Sequence, residues 1–361
     1  MKPFMKPLSG NKIKAIGMMS GTSLDGLDLA AVEFHRQNKK WEFSVVSAKT
    51  FSYSQEWLEK LKNAPALSGE KLMELHSEYG RFIGNEINRF IQNTGFLPDL
   101  IASHGHTVFH QPAKHFTFQM GSGVEIAAIT GIATVADFRS GDVALGGQGA
   151  PLVPAGDQLL FSEYDYCLNL GGFANISFNK NNRRVAFDIC PVNFILNHFA
   201  GKQGFAFDKN GELGRRGKMS PELLEQLNRL DFYHQEPPKS LGREWMEQTY
   251  LPVLQNLQIS EEDKMRTVYE NIAQQIANNT SGEGKMLVTG GGVFNTFLME
   301  LIAKHTNTAV VIPSDEIVNF KEAIVFAFLG VLRVLKMNNC YASVTGAKYD
   351  HSTGIIFDTS K

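Results

Sequence analysis

Residues 16–34, IGMMSGTSLDGLDLAAVEF, decide the fold class. IGMM at 16–19 runs into SGTSLDG at 20–26, and LDLAAVEF at 27–34 returns to apolar character. An apolar run, a small polar turn and a second apolar run predict a β-hairpin. Its turn gathers several backbone N–H groups and three hydroxyls at one point, which suits a terminal phosphate. A turn that merely favours small polar residues would read the same way, so the neighbouring elements have to decide.

Working outward, a third strand is predicted at 42–48, after a turn at 37–40. Leu72, Leu75, Tyr79, Phe82, Ile83, Ile87, Phe90 and Ile91 recur at spacings of three and four, predicting a long amphipathic helix over 71–91. Residues 100–103 predict a strand ending at His104-Gly105-His106. The second half opens in the same way. YCLNLGGFANISF at 166–178 is again strand, glycine turn and strand, and a short strand at 185–188 follows. After helical stretches near 220–230 and at 261–278, a buried strand at 286–289 runs into Gly290, Gly291 and Gly292. The parallel order predicts an internal duplication at the level of fold.

The chain has 361 residues, more than one hydrophobic core usually fills, so two domains are expected. The first covers 11–150, with the apolar helix 320–337 packing back on it. The second covers 151–319, with a polar elaboration at 205–242 broken by Pro221, Pro237 and Pro238. Hydrophobic residues at 43% against 20% charged residues exclude a disordered chain. A net charge of −2 without a run of like charges argues against nucleic acid and favours a small-molecule substrate. Cys167, Cys190 and Cys340 are far apart, odd in number and form no CxxC pair, so neither a disulfide framework nor a zinc site is indicated. With no apolar segment of signal-peptide or membrane-spanning length, a cytoplasmic location is expected.

No stretch fits GxxxxGK[ST], no strand leads into a full GxGxxG, and the protein-kinase motifs are missing. What remains is a pair of α/β halves, each presenting a hairpin turn to ATP phosphates, with a later glycine-rich strand end near the nucleoside. The expected ATP contacts are Gly21, Thr22, Ser23, Leu24, Asp25, Gly26, Leu27 and Asp28, then Gly171 and Gly172, then Gly290, Gly291, Gly292 and Asn295. Asp25 and Asp28 carry carboxylates able to hold Mg²⁺, directly or through water.

The ordered blocks GMMSGTSLDGLDLA, SHGHTVFHQP, TVADFRSGDVALGGQGAPLVP, LNLGGFANIS, AFDICPVN, PPKSLGRE and VTGGGVFN closely resemble the anhydro-N-acetylmuramic acid kinase family, over about residues 13–349. The resemblance implies the actin, hexokinase and heat-shock-chaperone ATPase superfamily. The expected fold class is therefore α/β: two duplicated ribonuclease-H-like lobes with a nucleotide cleft between them. It also implies a cell-wall recycling kinase that opens the 1,6-anhydro bridge of its sugar with water and phosphorylates the 6-oxygen from ATP. Family members are often homodimers.

That reaction requires one carboxylate to activate water. By resemblance it is Asp188, whereas on the residues alone Asp188 and Asp137 rank level. His104, Gln119, Asp137, Arg139 and Gln148 are the expected sugar contacts, with Arg139 best suited to the lactyl carboxylate. His104 and His106 have a metal-ligand spacing but no third ligand, which favours hydrogen-bonding or structural roles. Two departures stand out. After the aspartate the family usually has Thr-Gly-Pro-Gly, where this chain has Ile189, Cys190, Pro191 and Val192, and Val192 is expected to narrow the pocket. The family's usual SHGQT is SHGHT here. The rival readings are a kinase of the same fold for another sugar, and a nucleotide-binding module without sugar chemistry.

Overall fold

The structure is a computed structural model and describes residues 12–280 and 282–359. The chain divides into two compact units, one comprising the residues up to Leu160 together with those from Phe320 onward, the other Phe161–Asn319.

The first unit is built on β1 (Lys12–Ser20), β2 (Leu27–Gln37), β3 (Lys40–Phe51), β4 (Leu100–Gln111), β5 (Phe116–Met120), β6 (Thr134–Ala136) and β12 (Ile355–Phe357). Their order is β12-β6-β4-β1-β2-β3, with β5 paired to β4. β1, β2 and β3 form an antiparallel meander, while β4 and β6 run parallel to β1. Position in the sheet follows side-chain character. The middle of β1 is buried on both faces, whereas the edge strand β3 carries many exposed positions.

Between β3 and β4 lies the helix Gly69–Thr94, which makes the crossover a parallel pair needs. Ser68 caps its first turn and Gly95, at φ 67°, closes it through an N–H to the Ile91 carbonyl. Its stripe of Leu75, Tyr79, Ile83, Ile87 and Phe90 packs against Ile16, Met18, Leu27 and Ile101. A second long helix, Asp315–Val334, brings Ala323 directly over Gly17 of β1 and Gly330 over Ala102 of β4.

The second unit holds β7 (Tyr166–Leu170), β8 (Phe173–Lys180), β9 (Arg183–Pro191), β10 (Lys285–Thr289) and β11 (Ala309–Val311), in the order β11-β10-β7-β8-β9. β7, β8 and β9 are an antiparallel meander, and β10 and β11 run parallel to β7. Read from β6, the first sheet has the same order and the same strand directions. The duplication legible in the sequence is thus a duplication of topology.

Two local expectations change. β4 does not end at His104-Gly105-His106 but continues to Gln111, because β5 pairs with its far half as a hairpin. Gly105 permits this passage: its φ is +74°, and a Cβ there would lie 2.7 Å from the Met120 carbonyl oxygen. Segment 205–242 is polar in sequence but not peripheral. Its short helices send Leu213, Leu223, Leu227 and Phe232 inward, and all but Phe232 join the main apolar cluster of the second unit.

Candidate active site

The β1–β2 turn is tight: the Leu24 N–H reaches the Gly21 carbonyl at 3.2 Å, Leu24 has φ 62° and Gly26 has φ 154°. Thr22, Ser23 and Asp25 are exposed at its tip and Leu27 is buried at its return. Asp28 is half-buried and accepts from Thr50 Oγ1 at 2.5 Å. Burial raises its pKa against that hydrogen bond, and the neighbouring charge of Asp25 pushes the same way. The root of the turn is anchored from below, since Ser20 Oγ is hydrogen-bonded to His106 Nδ1 (2.9 Å) and to Tyr53 OH (2.8 Å). Tyr53 OH in turn meets Tyr79 OH at 2.6 Å. Burial pulls the His106 pKa down to about 4, so the ring is neutral near pH 7 and has a supporting role.

Also in the first unit, His104 and Arg139 come together. Arg139 Nε and Nη2 lie 3.0 and 2.8 Å from His104 Nε2, and Arg139 Nη1 donates to the Gly149 carbonyl at 2.7 Å. The carbonyl of Gly105, 2.9 Å from His104 Nδ1, can only accept, so Nδ1 carries the ring proton and Nε2 receives the guanidinium. Burial, then the Arg139 charge, hold His104 well below its usual pKa. Desolvation lowers Arg139 to about 10, which leaves it cationic at neutral pH.

Gln119 Nε2 donates to Thr117 Oγ1 at 2.9 Å, and its buried Oε1 has no partner among the described residues. Gln148 is exposed beside Gly149, its backbone N–H donating to the Thr345 carbonyl at 2.8 Å. Asp137 makes no hydrogen bond to the His104–Arg139 pair among the described residues. It has φ 53° and accepts from the Ser140 N–H at 3.2 Å, the bond of a helix start.

In the second unit, Asp188 lies on β9 opposite Asn175 of β8, which is opposite Asn169 of β7, which is opposite Thr289 of β10. This polar row crosses four strands. The Leu241 N–H donates to Asp188 Oδ2 at 2.8 Å, and the Asp188 N–H to the Lys239 carbonyl at 3.2 Å. Half-burial raises the Asp188 pKa, opposed by the Leu241 N–H.

The glycine loops here are partly structural. Val192, Asn193 and Phe194 donate their N–H groups to the carbonyls of Gly171 and Gly172, and a Cβ on Gly172 would strike the Phe194 ring at 2.3 Å. Gly290 and Gly292 sit against β7, where Cβ atoms would meet Asn169 Oδ1 and Leu170 Cβ, each at 2.7 Å. Gly291 alone of the three is open, its nearest neighbour being Asn193 Nδ2 at 3.8 Å. Asn295 caps the helix Thr296–His305 by accepting from the Leu298 N–H, and donates to Tyr269 OH at 2.6 Å.

A family model described as anhydro-N-acetylmuramic acid kinase matches residues 13–359. The chain belongs to the anhydro-N-acetylmuramic acid kinase family. Relatives of that description from Mannheimia succiniciproducens and Pasteurella multocida are each 36% identical, and one from Crocosphaera subtropica is 34% identical. The alignments cover 95%, 96% and 94% of this chain and 98%, 97% and 98% of those proteins, respectively. Membership makes the chain a sugar kinase that draws on ATP, in the family whose reaction joins hydrolytic opening of a 1,6-anhydro bridge to phosphorylation of the 6-oxygen. No described helix is long and apolar enough to cross a membrane.

Within this anhydro-N-acetylmuramic acid kinase family member, the departure after Asp188 is accommodated inward. Ile189, Cys190 and Val192 are 1%, 0% and 0% exposed and belong to the apolar core of the second unit. The expectation that the Val192 side chain narrows the sugar pocket is overturned, because it faces the core.

Two contributors escaped the sequence reading. Leu241 belongs to the PPKSLGRE block, which resembled the family without suggesting that its backbone holds Asp188. Glu322 was hidden in an apolar helix. Its side chain reaches solvent, and its charge attracts Arg139 and repels Asp28. The available signal was a Lys-Glu pair opening an otherwise apolar run.

Proposed function

We propose that this chain phosphorylates anhydro-N-acetylmuramic acid with Asp188 as the base. The observation that carries the assignment is a half-buried carboxylate on the polar row of the second sheet, with one oxygen held by the Leu241 N–H and its pKa raised by burial. In the anhydro sugar the 6-oxygen is tied up in an acetal and is no free nucleophile. Asp188 takes a proton from water as the water oxygen bonds to the anomeric carbon. The C1–O6 bond breaks, and O6 takes the γ-phosphoryl group as ADP leaves.

The turn at 20–28 receives the ATP phosphates on its backbone N–H groups and hydroxyls. Asp25 and Asp28 offer hard oxygen donors whose mutual repulsion a cation would relieve, a fit for Mg²⁺ bound directly or through water. Magnesium supplies charge neutralisation on the phosphates. The Arg139 guanidinium, oriented by His104, pairs with the lactyl carboxylate. Gln119 and Gln148 face the sugar hydroxyls, and Gly291 leaves room beside the nucleoside. A cytoplasmic homodimer is the proposed state, checked by light scattering.

The test is incubation with ATP and the anhydro sugar, following ADP and sugar phosphate together. Stoichiometric formation of both supports the assignment. Phosphorylation of another amino sugar only would move the substrate, and ATP binding without sugar-dependent ADP would favour a non-catalytic module.

Two predictions follow the geometry. A Cβ on Gly21 would meet Ser23 Oγ at 3.3 Å and the Ser23 nitrogen at an ordinary 3.9 Å, so Gly21→Ala should fold normally and still crowd the phosphates. Calorimetry should show ATP binding weakened about tenfold with the melting temperature unchanged. Equal ATP affinity in both proteins would remove the turn from the phosphate site.

The second concerns pH. The base works only when ionised, so kcat/KM falls as pH drops through the Asp188 pKa. Burial raises that pKa, and the acid limb should therefore lie above the ordinary aspartate value of about 3.9. An acid limb at the ordinary value would contradict a desolvated base.

A further inference from the structure

The first unit contains a second polar cluster that the proposed reaction does not use. Asp142, Cys340 and His351 are 0%, 1% and 9% exposed. Cys340 and His351 are directly opposed across a short antiparallel bridge. Both backbone hydrogen bonds of the pair are made, Cys340 N–H to the His351 carbonyl at 3.1 Å and the reverse at 3.0 Å. Opposed residues of such a pair project to the same face, so thiol and imidazole emerge side by side. Asp142 meets them from the helix Ser140–Ala144. Cys340 Sγ lies 3.0 Å and His351 Nε2 3.6 Å from Asp142 Oδ1, and the three ligand atoms are all within 4.8 Å of one another.

The imidazole supplies the independent sign of a ligand. Its Nδ1 is 3.1 Å from the Tyr349 carbonyl, which can only accept, so Nδ1 carries the proton and Nε2 presents its lone pair. That Nε2 is buried and has no hydrogen-bond partner among the described residues. Asp142 Oδ1 is already occupied by the Cys340 thiol and by Thr345 Oγ1 at 2.7 Å, and Oδ2 accepts from the Gly149 N–H at 2.7 Å. With the imidazole neutral, these hydrogen bonds leave its Nε2 unsatisfied.

We propose that Asp142, Cys340 and His351 hold a divalent cation of the zinc class. Thiolate sulfur, imidazole nitrogen and carboxylate oxygen form the mixed donor set that a borderline-soft ion takes, and their separations suit three corners of a tetrahedron. On binding, the Cys340 S–H proton leaves to solvent and the sulfur bonds to the ion, with no change of oxidation state. Thr345 Oγ1 or water completes the set. His351 also lines a cavity of about 520 Å³ shared with Asp137, Ser140, Tyr349 and Ser352, which provides the way in. The ion would tie residues 339–353 to the segment 139–149, so it is structural and distinct from magnesium on the nucleotide.

The test uses the whole chain, stripped by chelator and titrated with Co²⁺. One equivalent should bind with a thiolate-to-cobalt charge-transfer band, Zn²⁺ should displace it, and zinc should raise the melting temperature. Cys340→Ser should lose the band, and His351→Gln should weaken binding at least about tenfold. Absence of the band in the natural chain overturns the proposal, whether or not the variants fold. So does a band that persists in Cys340→Ser, which would place the metal on Cys167 or Cys190. A melting temperature indifferent to zinc overturns it as well, leaving a hydrogen-bonded cluster only.

Discussion

Asp188→Asn is expected to lower turnover by about 10²–10⁴-fold, the usual loss for a general base, while ATP binding stays intact. The substitution keeps shape and an acceptor for the Leu241 N–H, so the loop that holds the side chain has no reason to move. What disappears is the ability to take a proton from water. Stability should change in the opposite sense to activity. The folded-state pKa of Asp188 is raised by burial, so its contribution to stability is present below the ordinary carboxylate range and lost as pH rises through the folded value. At neutral pH the ionised form carries a desolvation cost that asparagine avoids. The melting temperature of the variant should equal or exceed that of the natural chain at pH 7, with the difference shrinking as pH falls. Steady-state kinetics with ATP-binding calorimetry and pH-dependent melting check both halves. Turnover near the natural rate would remove Asp188 from the chemistry, and a large drop in melting temperature would recast it as a structural residue.

Gly17→Ala should cripple the first unit without touching any reacting group. A Cβ on Gly17 would sit 1.8 Å from the Ala323 carbonyl oxygen and 2.8 Å from the Ala327 nitrogen. Both are helix backbone atoms, so no rotamer change relieves the clash and the whole helix Asp315–Val334 must lift off β1. A cost of roughly 3–5 kcal/mol is expected, at the upper end for a single added methyl group because the obstacle is rigid. The melting temperature should fall on the order of 10 °C, and much of the protein should be lost to aggregation on expression. Gly21→Ala, four residues along the same hairpin and free of backbone obstruction, is the control. A Gly17→Ala protein melting within about 2 °C of the natural chain would mean that helix and strand do not meet there.

The legible part of the fold was the part written in local patterns. Apolar runs flanking SGTSLDG and LGGFAN announced two hairpins, and the stripe from Leu72 to Ile91 announced the long helix. Where a strand borrows its partner from further along, the pattern failed. His104-Gly105-His106 has the composition of a strand end, and only pairing with β5 carries β4 through it. Asn295, expected at the close of the nucleotide loop 290–295, also caps the helix formed by the apolar run TFLMELIA behind it, a role the glycine pattern does not announce. Val192 was read as lining the sugar pocket, because nothing in ICPVN says which face of the chain meets the core.

The sequence by itself determined the fold class, the duplication, the family and the kinds of groups the reaction needs. These follow from side-chain periodicity, turn chemistry and ordered motifs, each complete within a few neighbouring residues. Only the tertiary structure decided which groups meet. It brought Arg139 onto His104, the Leu241 N–H onto Asp188 across 53 residues, and Cys340 onto Asp142 across 198. Strand order and burial set those encounters, and with them the shifted pKa values of His104, Arg139 and Asp188. A desolvated charge answers to everything packed around it, and no local stretch of sequence contains that information.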